Sequence, residues 1–221
     1  DRDYVRLKAK KWGIAFVSVP RDQMQKMTRN VNAQGIWADI EEFSYMLYDD
    51  LLEGAVEKDL TLLFLDGLND PQNLGSIIRS IACLGNFAVI LPTHDSVTVT
   101  DAVLRVACGG DNYIPISRVA NLAKAIGEAK EAGFWIAGTV VEGGKDVTRE
   151  ELPFPLALII GSEQKGVREI LKKKMDMGLT IPMAHQRLSL NVAQAATIFC
   201  YEIIRQKKVK KIPSATAKRV S

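Results

Sequence analysis

The chain has 221 residues, 47% apolar and 25% charged, with 29 Lys and Arg against 26 Asp and Glu for a formal net charge of +3. That balance fits one or two soluble globular domains with a real core, and no apolar run approaches the ~20 residues that a membrane-spanning helix needs. The three cysteines, Cys83, Cys108 and Cys200, are scattered in apolar surroundings with no Cys/His spacing for a metal, so they read as core thiols of a reducing, cytoplasmic compartment.

The chain begins at Asp1 without a secretory pattern. Residues 1–42 read as part of a small α/β unit. An amphipathic helix is predicted at 4–9, a strand at 13–19 closed by Pro20, a short helix at 22–27 and a strand at 35–38. The unit opens on a helix with no strand before it, so its own start is expected upstream. Residues 43–59 are mixed and acidic and read as a linker. Basic residues crowd both ends of the chain, Arg2 to Lys11 and Lys207 to Arg219, and together they make a polyanion partner plausible.

From Leu60 the pattern is regular. Strands are predicted at 60–65, 87–91, 113–116, 134–139, 156–160 and 179–181, alternating with helices after Asn73 and at 100–108, 122–132, 167–175 and 192–208. Continuous apolar strands alternating with helices predict an α/β fold with a mostly parallel sheet covered on both faces. The last helix carries the stripe Val192, Ala195, Ala196, Phe199, Cys200 and Ile203. Residues 209–221 lack periodicity and read as a basic flexible tail.

Ligands of open parallel sheets sit beyond the carboxyl ends of the strands. The loops there are 69–75, Gly138-Thr139, 161–166 and 183–191. Glycine after an apolar strand lets a ligand approach the backbone, although a plain turn is the commoner use. No G-x-G-x-x-G follows the first regular strand. Gly161 to Gly166 has the glycine spacing of a phosphate loop, but Val167 and Arg168 stand where Lys and Ser/Thr are needed, and Glu163 repels phosphate. A neutral or sulfonium ligand suits Glu163 better. His94 and His185 complete no metal or triad spacing and read as surface residues. Asn73, Ser189 and Asn191 stand at helix starts, where capping alone accounts for them.

Three stretches taken together are more specific. Asn69-Asp70-Pro71-Gln72-Asn73-Leu74-Gly75-Ser76-Ile77-Ile78-Arg79, Ile159-Ile160-Gly161-Ser162-Glu163-Gln164-Lys165-Gly166, and Ile181-Pro182-Met183 through Ser189-Leu190-Asn191-Val192-Ala193 resemble, in order, the three motifs of the SpoU/TrmH branch of the SPOUT RNA methyltransferases. The resemblance covers residues 60–208. Residues 1–42 resemble more weakly the latter part of a ribosomal-protein-like RNA-binding domain.

The resemblance implies a C-terminal trefoil knot, a homodimer, S-adenosylmethionine as cofactor, no metal, and methylation of an RNA ribose 2′-hydroxyl. The extra N-terminal unit favours ribosomal RNA, as in the 23S guanosine enzymes, over transfer RNA. A non-catalytic RNA-binding protein on the same fold is the alternative from another class. Carried over residue by residue, Gly138, Thr139, Gly161, Ile181 and Leu190 bind the cofactor, while Asn73, Arg79, Glu163, Ser189 and Asn191 surround the reacting centre, with Arg79 the foremost catalytic candidate. The loop His185-Gln186-Arg187-Leu188 is bulkier and more basic than the small-residue loop of many relatives.

Overall fold

The computed structural model describes residues 2–28, 35–39, 41–163, 165–185 and 188–211. Within the stretches singled out above, Gln164, Gln186, Arg187 and tail residues 212–221 lie outside them. The chain forms two compact units, Asp1–Glu42 and Phe43–Ser221. Among the described residues no helix is long and apolar enough to cross a membrane.

The first unit holds α1 (Arg2–Lys11) and α2 (Arg21–Met27). Lys8 lies 5.5 Å from the ring centroids of both Tyr4 and Trp12. The strands expected at 13–19 and 35–38 are not formed: those residues are irregular, and Ile14, Val17 and Trp37 are exposed. A strand exists only by pairing, and no partner strand occurs among the described residues of this unit.

The second unit is built on a sheet of seven parallel strands: β1 (Thr61–Asp66), β2 (Phe87–Pro92), β3 (Ile116–Val119), β4 (Trp135–Thr139), β5 (Lys145–Asp146), β6 (Leu156–Gly161) and β7 (Met177–Thr180). Their spatial order is β3-β2-β1-β6-β4-β7-β5. Alternate residues of each strand serve opposite faces, which is why the central strands read as unbroken apolar runs. Leu63 and Leu65 of β1 join Val89, Leu158 and Ile160 in one core. Leu62 and Phe64 join Ala88, Ile90 and Ile159 in the other. Each fully buried Val, Leu, Ile or Phe among them contributes about 1.5–3 kcal/mol.

The first face is covered by α4 (Pro71–Leu84), α5 (Asp101–Ala107) and α8 (Val192–Lys211), the second by α3 (Tyr48–Glu57), α6 (Leu122–Glu131) and α7 (Glu169–Lys172). The start of α4 is fixed by Asp70, whose carboxylate accepts the N–H of Gln72, with Pro71 in the first turn. Gly75 lets α5 close in, since a Cβ there would stand 2.8 Å from the Val103 carbonyl oxygen. The expected stripe of α8 is realised, with Ala196, Cys200 and Ile203 fully buried.

Several expectations differ from the structure. Residues 43–59 are no free linker. Met46 bridges Ser117 of β3, Leu51 and Ala55 are buried, and the Tyr48 hydroxyl donates to the Ala125 carbonyl at 2.7 Å. The acidic character of the stretch comes from the outer face of α3. The third strand starts at Ile116 rather than Tyr113, because a 3-10 turn at Gly110–Asn112 occupies the approach. Only Glu169–Lys172 is helical within 167–175, because Arg168 is held extended. Cys200 is buried, but Cys83 and Cys108 are exposed. Cys83 lies off the buried stripe of α4, and Cys108 ends α5 in the left-handed region (φ 51°).

Candidate functional site

The loops after β1, β4, β6 and β7 emerge at the carboxyl edge of the sheet, as the parallel strands require. Gly161 ends β6, and the chain doubles back at once. Ser162 pairs with Gly166, whose N–H donates to the Ser162 carbonyl at 2.8 Å. A Cβ on Gly161 would stand 2.1 Å from the Gly166 carbonyl carbon and 2.2 Å from the Val167 nitrogen. The glycine is therefore demanded by the protein's own backbone. Gly138 differs, since a Cβ there would meet the Met175 sulfur at 2.4 Å, and a flexible methionine side chain can move away.

That turn places Glu163 beside the first helical turn of α4. The Asn73 amide donates to Glu163 Oε1 at 2.5 Å. The Asn73 carbonyl in turn accepts from the Asn191 amide at 2.9 Å. Asn191 also caps α8, its Oδ1 accepting the Ala193 N–H at 2.8 Å. One line of hydrogen bonds thus joins three loops separated by 90 and 118 residues along the chain. Asn73 is buried at its centre, while Glu163 and Asn191 remain open to solvent.

Arg79 stands apart from this line. It lies six residues beyond Asn73 on α4, about 9 Å along the axis. It is exposed, and its Nη1 donates to the Cys108 sulfur at 3.5 Å. Ser189 is exposed in the loop before α8. Of the expected polar set, Asn73, Glu163 and Asn191 are brought into contact, and Arg79 and Ser189 are not in contact with them.

Thr139 and Ile181, at the ends of β4 and β7, and Leu190, just before α8, are half-buried. The backbone N–H and carbonyl groups of Ile181, Met183 and Leu190 make no hydrogen bond to another described residue. Unpaired donors and acceptors beside aliphatic side chains suit the edge and face of a heterocycle such as adenine. The residues present therefore fit the cofactor that the motifs imply. No group of His, Cys, Asp and Glu among the described residues is arranged to hold a metal.

A second feature was not read from the sequence. Asp66, at the end of β1, has a fully buried side chain. Its Oδ1 accepts from Arg168 Nε at 2.6 Å and its Oδ2 from the Arg168 N–H at 2.9 Å. This pair anchors the far end of the 162–168 loop. Beside it opens a cavity of about 670 Å³, lined by residues of the loops after β1, β2 and β6, Glu163 and His94 among them. A carboxylate closing an apolar strand was the available signal, because a buried charge requires a partner.

The model of the SpoU rRNA Methylase family matches residues 60–201. Among proteins of known sequence, the chain is 38% identical over 201 residues to YacO of Bacillus subtilis (strain 168), named as a TrmH family tRNA/rRNA methyltransferase, covering 90% of this chain and 80% of that one. Among solved structures, it is similar to an AdoMet-bound rRNA methyltransferase from Sinorhizobium meliloti, with 26% identity and a TM-score of 0.74 over 92% of this chain and 76% of that one. It is also similar to the SpoU methyltransferase AviRb of Streptomyces viridochromogenes in complex with AdoMet, with 31% identity and a TM-score of 0.62 over 68% and 58% of the two chains.

Proposed function

The chain belongs to the SpoU rRNA methylase family, and we propose that it uses S-adenosyl-L-methionine to methylate a ribose 2′-hydroxyl of RNA, ribosomal RNA before transfer RNA. The observation that carries this reading is the hydrogen-bonded line Asn191–Asn73–Glu163, which draws the three motif loops to one edge of the sheet. AdoMet is bound in two similar structures. The preference for ribosomal RNA rests on the extra unit Asp1–Glu42 and its basic α1.

The bound cofactor would supply an electrophilic methyl group on a sulfonium. Thr139, Ile181 and Leu190 would hold it, with the backbone groups of Ile181, Met183 and Leu190 as its polar partners. The chain's remaining task is to place the ribose in line with that methyl, and positioning of this kind supplies much of the rate. Asn73 locks the Glu163 and Asn191 loops in one arrangement. The planar fork of donors on the Arg79 guanidinium matches an RNA phosphate, and in this reading Arg79 grips that phosphate and polarises the hydroxyl. Ser189, open on the 183–191 loop, is available to the same ribose.

A homodimer belongs to this reading. Arg79 is separated from the polar line within one chain, and a second copy facing α4 and α8 would complete its surroundings. Exposed Ile198 and Tyr201 on α8 support such a contact. A C-terminal knot is supported by a sheet order in which β7 lies between β4 and β5. A cytoplasmic location follows from the substrate.

Calorimetry with S-adenosylmethionine, followed by transfer of a tritiated methyl to bulk RNA, tests the proposal. Saturable binding and labelled RNA are the expected results. RNA binding with neither cofactor binding nor transfer would mark a non-catalytic RNA-binding protein.

A further inference from the structure

The cavity between the loops after β1, β2 and β6 touches the polar line through Glu163, and Asp66, Pro92, His94, Asp95 and Arg168 of its walls lie outside the three motifs. Its volume of about 670 Å³ falls within the usual ~300–1,000 Å³ of small-ligand sites. Arg168 is pinned at Nε and at its backbone N–H by Asp66. Its two terminal amino groups have no partner among the described residues, and half of the side chain is exposed. A guanidinium fixed by one edge presents its other donors in a set direction. His94 adds the one aromatic ring of the lining.

Charge narrows the ligand. Asp66, Asp70, Asp95 and Glu163 outnumber Lys165 and Arg168 around the cavity. A phosphate would meet net repulsion there. A neutral ring with N–H donors for the carboxylates and an acceptor for Arg168 would not. A flat face for His94 and hydrogen-bonding edges for the charged groups are what a nucleobase offers once it leaves its stack.

We infer that this cavity receives one unstacked nucleobase of the RNA, lying on the His94 ring with an acceptor edge held by Arg168. This rests on the RNA methyl-transfer reading and extends it, because Glu163 belongs both to the cavity and to the line that reaches Asn73 and Asn191. A base seated here brings its own ribose toward those loops. His94 and Arg168 thereby become substrate-binding residues.

The test compares wild type with His94→Ala, His94→Phe and Arg168→Lys, all as full chains, in tritiated methyl transfer to bulk ribosomal RNA. S-adenosylmethionine affinity is measured alongside by calorimetry. His94→Ala and Arg168→Lys should each lower kcat/KM for RNA about tenfold, as loss of one stacked or bidentate base contact does. His94→Phe should stay within about threefold of wild type, since a phenyl ring also stacks. Cofactor affinity should not move in any of them. Wild-type rates in both His94→Ala and Arg168→Lys would overturn the inference. So would a His94→Phe variant as slow as His94→Ala, or a parallel loss of cofactor affinity. A wild-type protein that transfers no methyl at all would instead remove the reading beneath it, and that outcome is distinct from an active wild type with indifferent variants.

Discussion

Asn73 shows how one side chain serves structure and chemistry together. It is buried, and its amide satisfies Glu163 on one side and Asn191 on the other. Replacing it with Ala removes two hydrogen bonds worth about 0.5–1.5 kcal/mol each, while the exposed Glu163 and Asn191 turn to water. Asn73→Ala should lower the urea midpoint accordingly and abolish methyl transfer, and an unchanged midpoint would show that the line carries no load. Arg79→Ala is expected to behave differently. Arg79 is exposed and touches only the Cys108 sulfur by hydrogen bond among the described residues, so stability should shift by less than about 0.5 kcal/mol. Transfer should fall below detection while cofactor affinity, by calorimetry, stays put. At this scale the sequence was only partly legible. Asn191 read as a cap from its position and as a site residue only through its motif; the cap is formed, and the same side chain donates to Asn73. The pairing of Asp66 with Arg168 went unread, because a carboxylate closing an apolar strand signals the need for a partner but not which residue, 102 positions away, supplies it.

Among the elements, the tight turn after β6 is the most constrained. Gly161→Ala would drive a Cβ into the backbone of Gly166 and Val167, and main chain cannot step aside as a flexible side chain can. A loss of about 3 kcal/mol is expected, as for severe overpacking, with cofactor binding lost as well; a fully stable, fully active variant would contradict the geometry. At the other end of the sheet, α8 pins the loop before β6. Gln206 accepts the Leu152 N–H at 2.9 Å and donates to Glu202, which also pairs with Arg205. The Arg205 hydrogen bond holds the Glu202 carboxyl below its usual range, and burial, which works the other way, does not outweigh it together with Gln206. A depressed carboxylate stabilises the fold above its unfolded value, near ~4.3, and loses that contribution as pH falls through the folded value. The stability gap between wild type and Glu202→Gln should therefore be largest near neutrality and shrink below about pH 4; urea midpoints across pH check this, and a gap constant from neutral to acid would contradict it. The central strands were legible because two covered faces force unbroken apolar runs. β5 was not, being two charged-side residues, Lys145 and Asp146, at the sheet's edge. The N-terminal stretches looked like strands because they are short apolar runs, yet pattern cannot supply a pairing partner.

Across the whole molecule, a seven-stranded parallel sheet carries loops from four strands to one edge, and the polar line runs among three of them. Such a layout could be anticipated from alternating strands and helices; the crossing order β6-β4-β7-β5 could not, since periodicity says nothing of which strands are neighbours. If two copies complete the surroundings of Arg79, sedimentation should return a dimer, and Tyr201→Glu, which places a charge on the exposed face of α8, should dissociate it and reduce transfer at least tenfold. A monomer that is fully active would remove the second copy from the site. The most direct test of the central claim is the chemical position of the transferred methyl. RNA labelled from tritiated S-adenosylmethionine is hydrolysed in alkali, which cannot cleave beside a 2′-O-methyl ribose. The account predicts label in alkali-resistant dinucleotides; label released in mononucleotides, or no label at all, would contradict it.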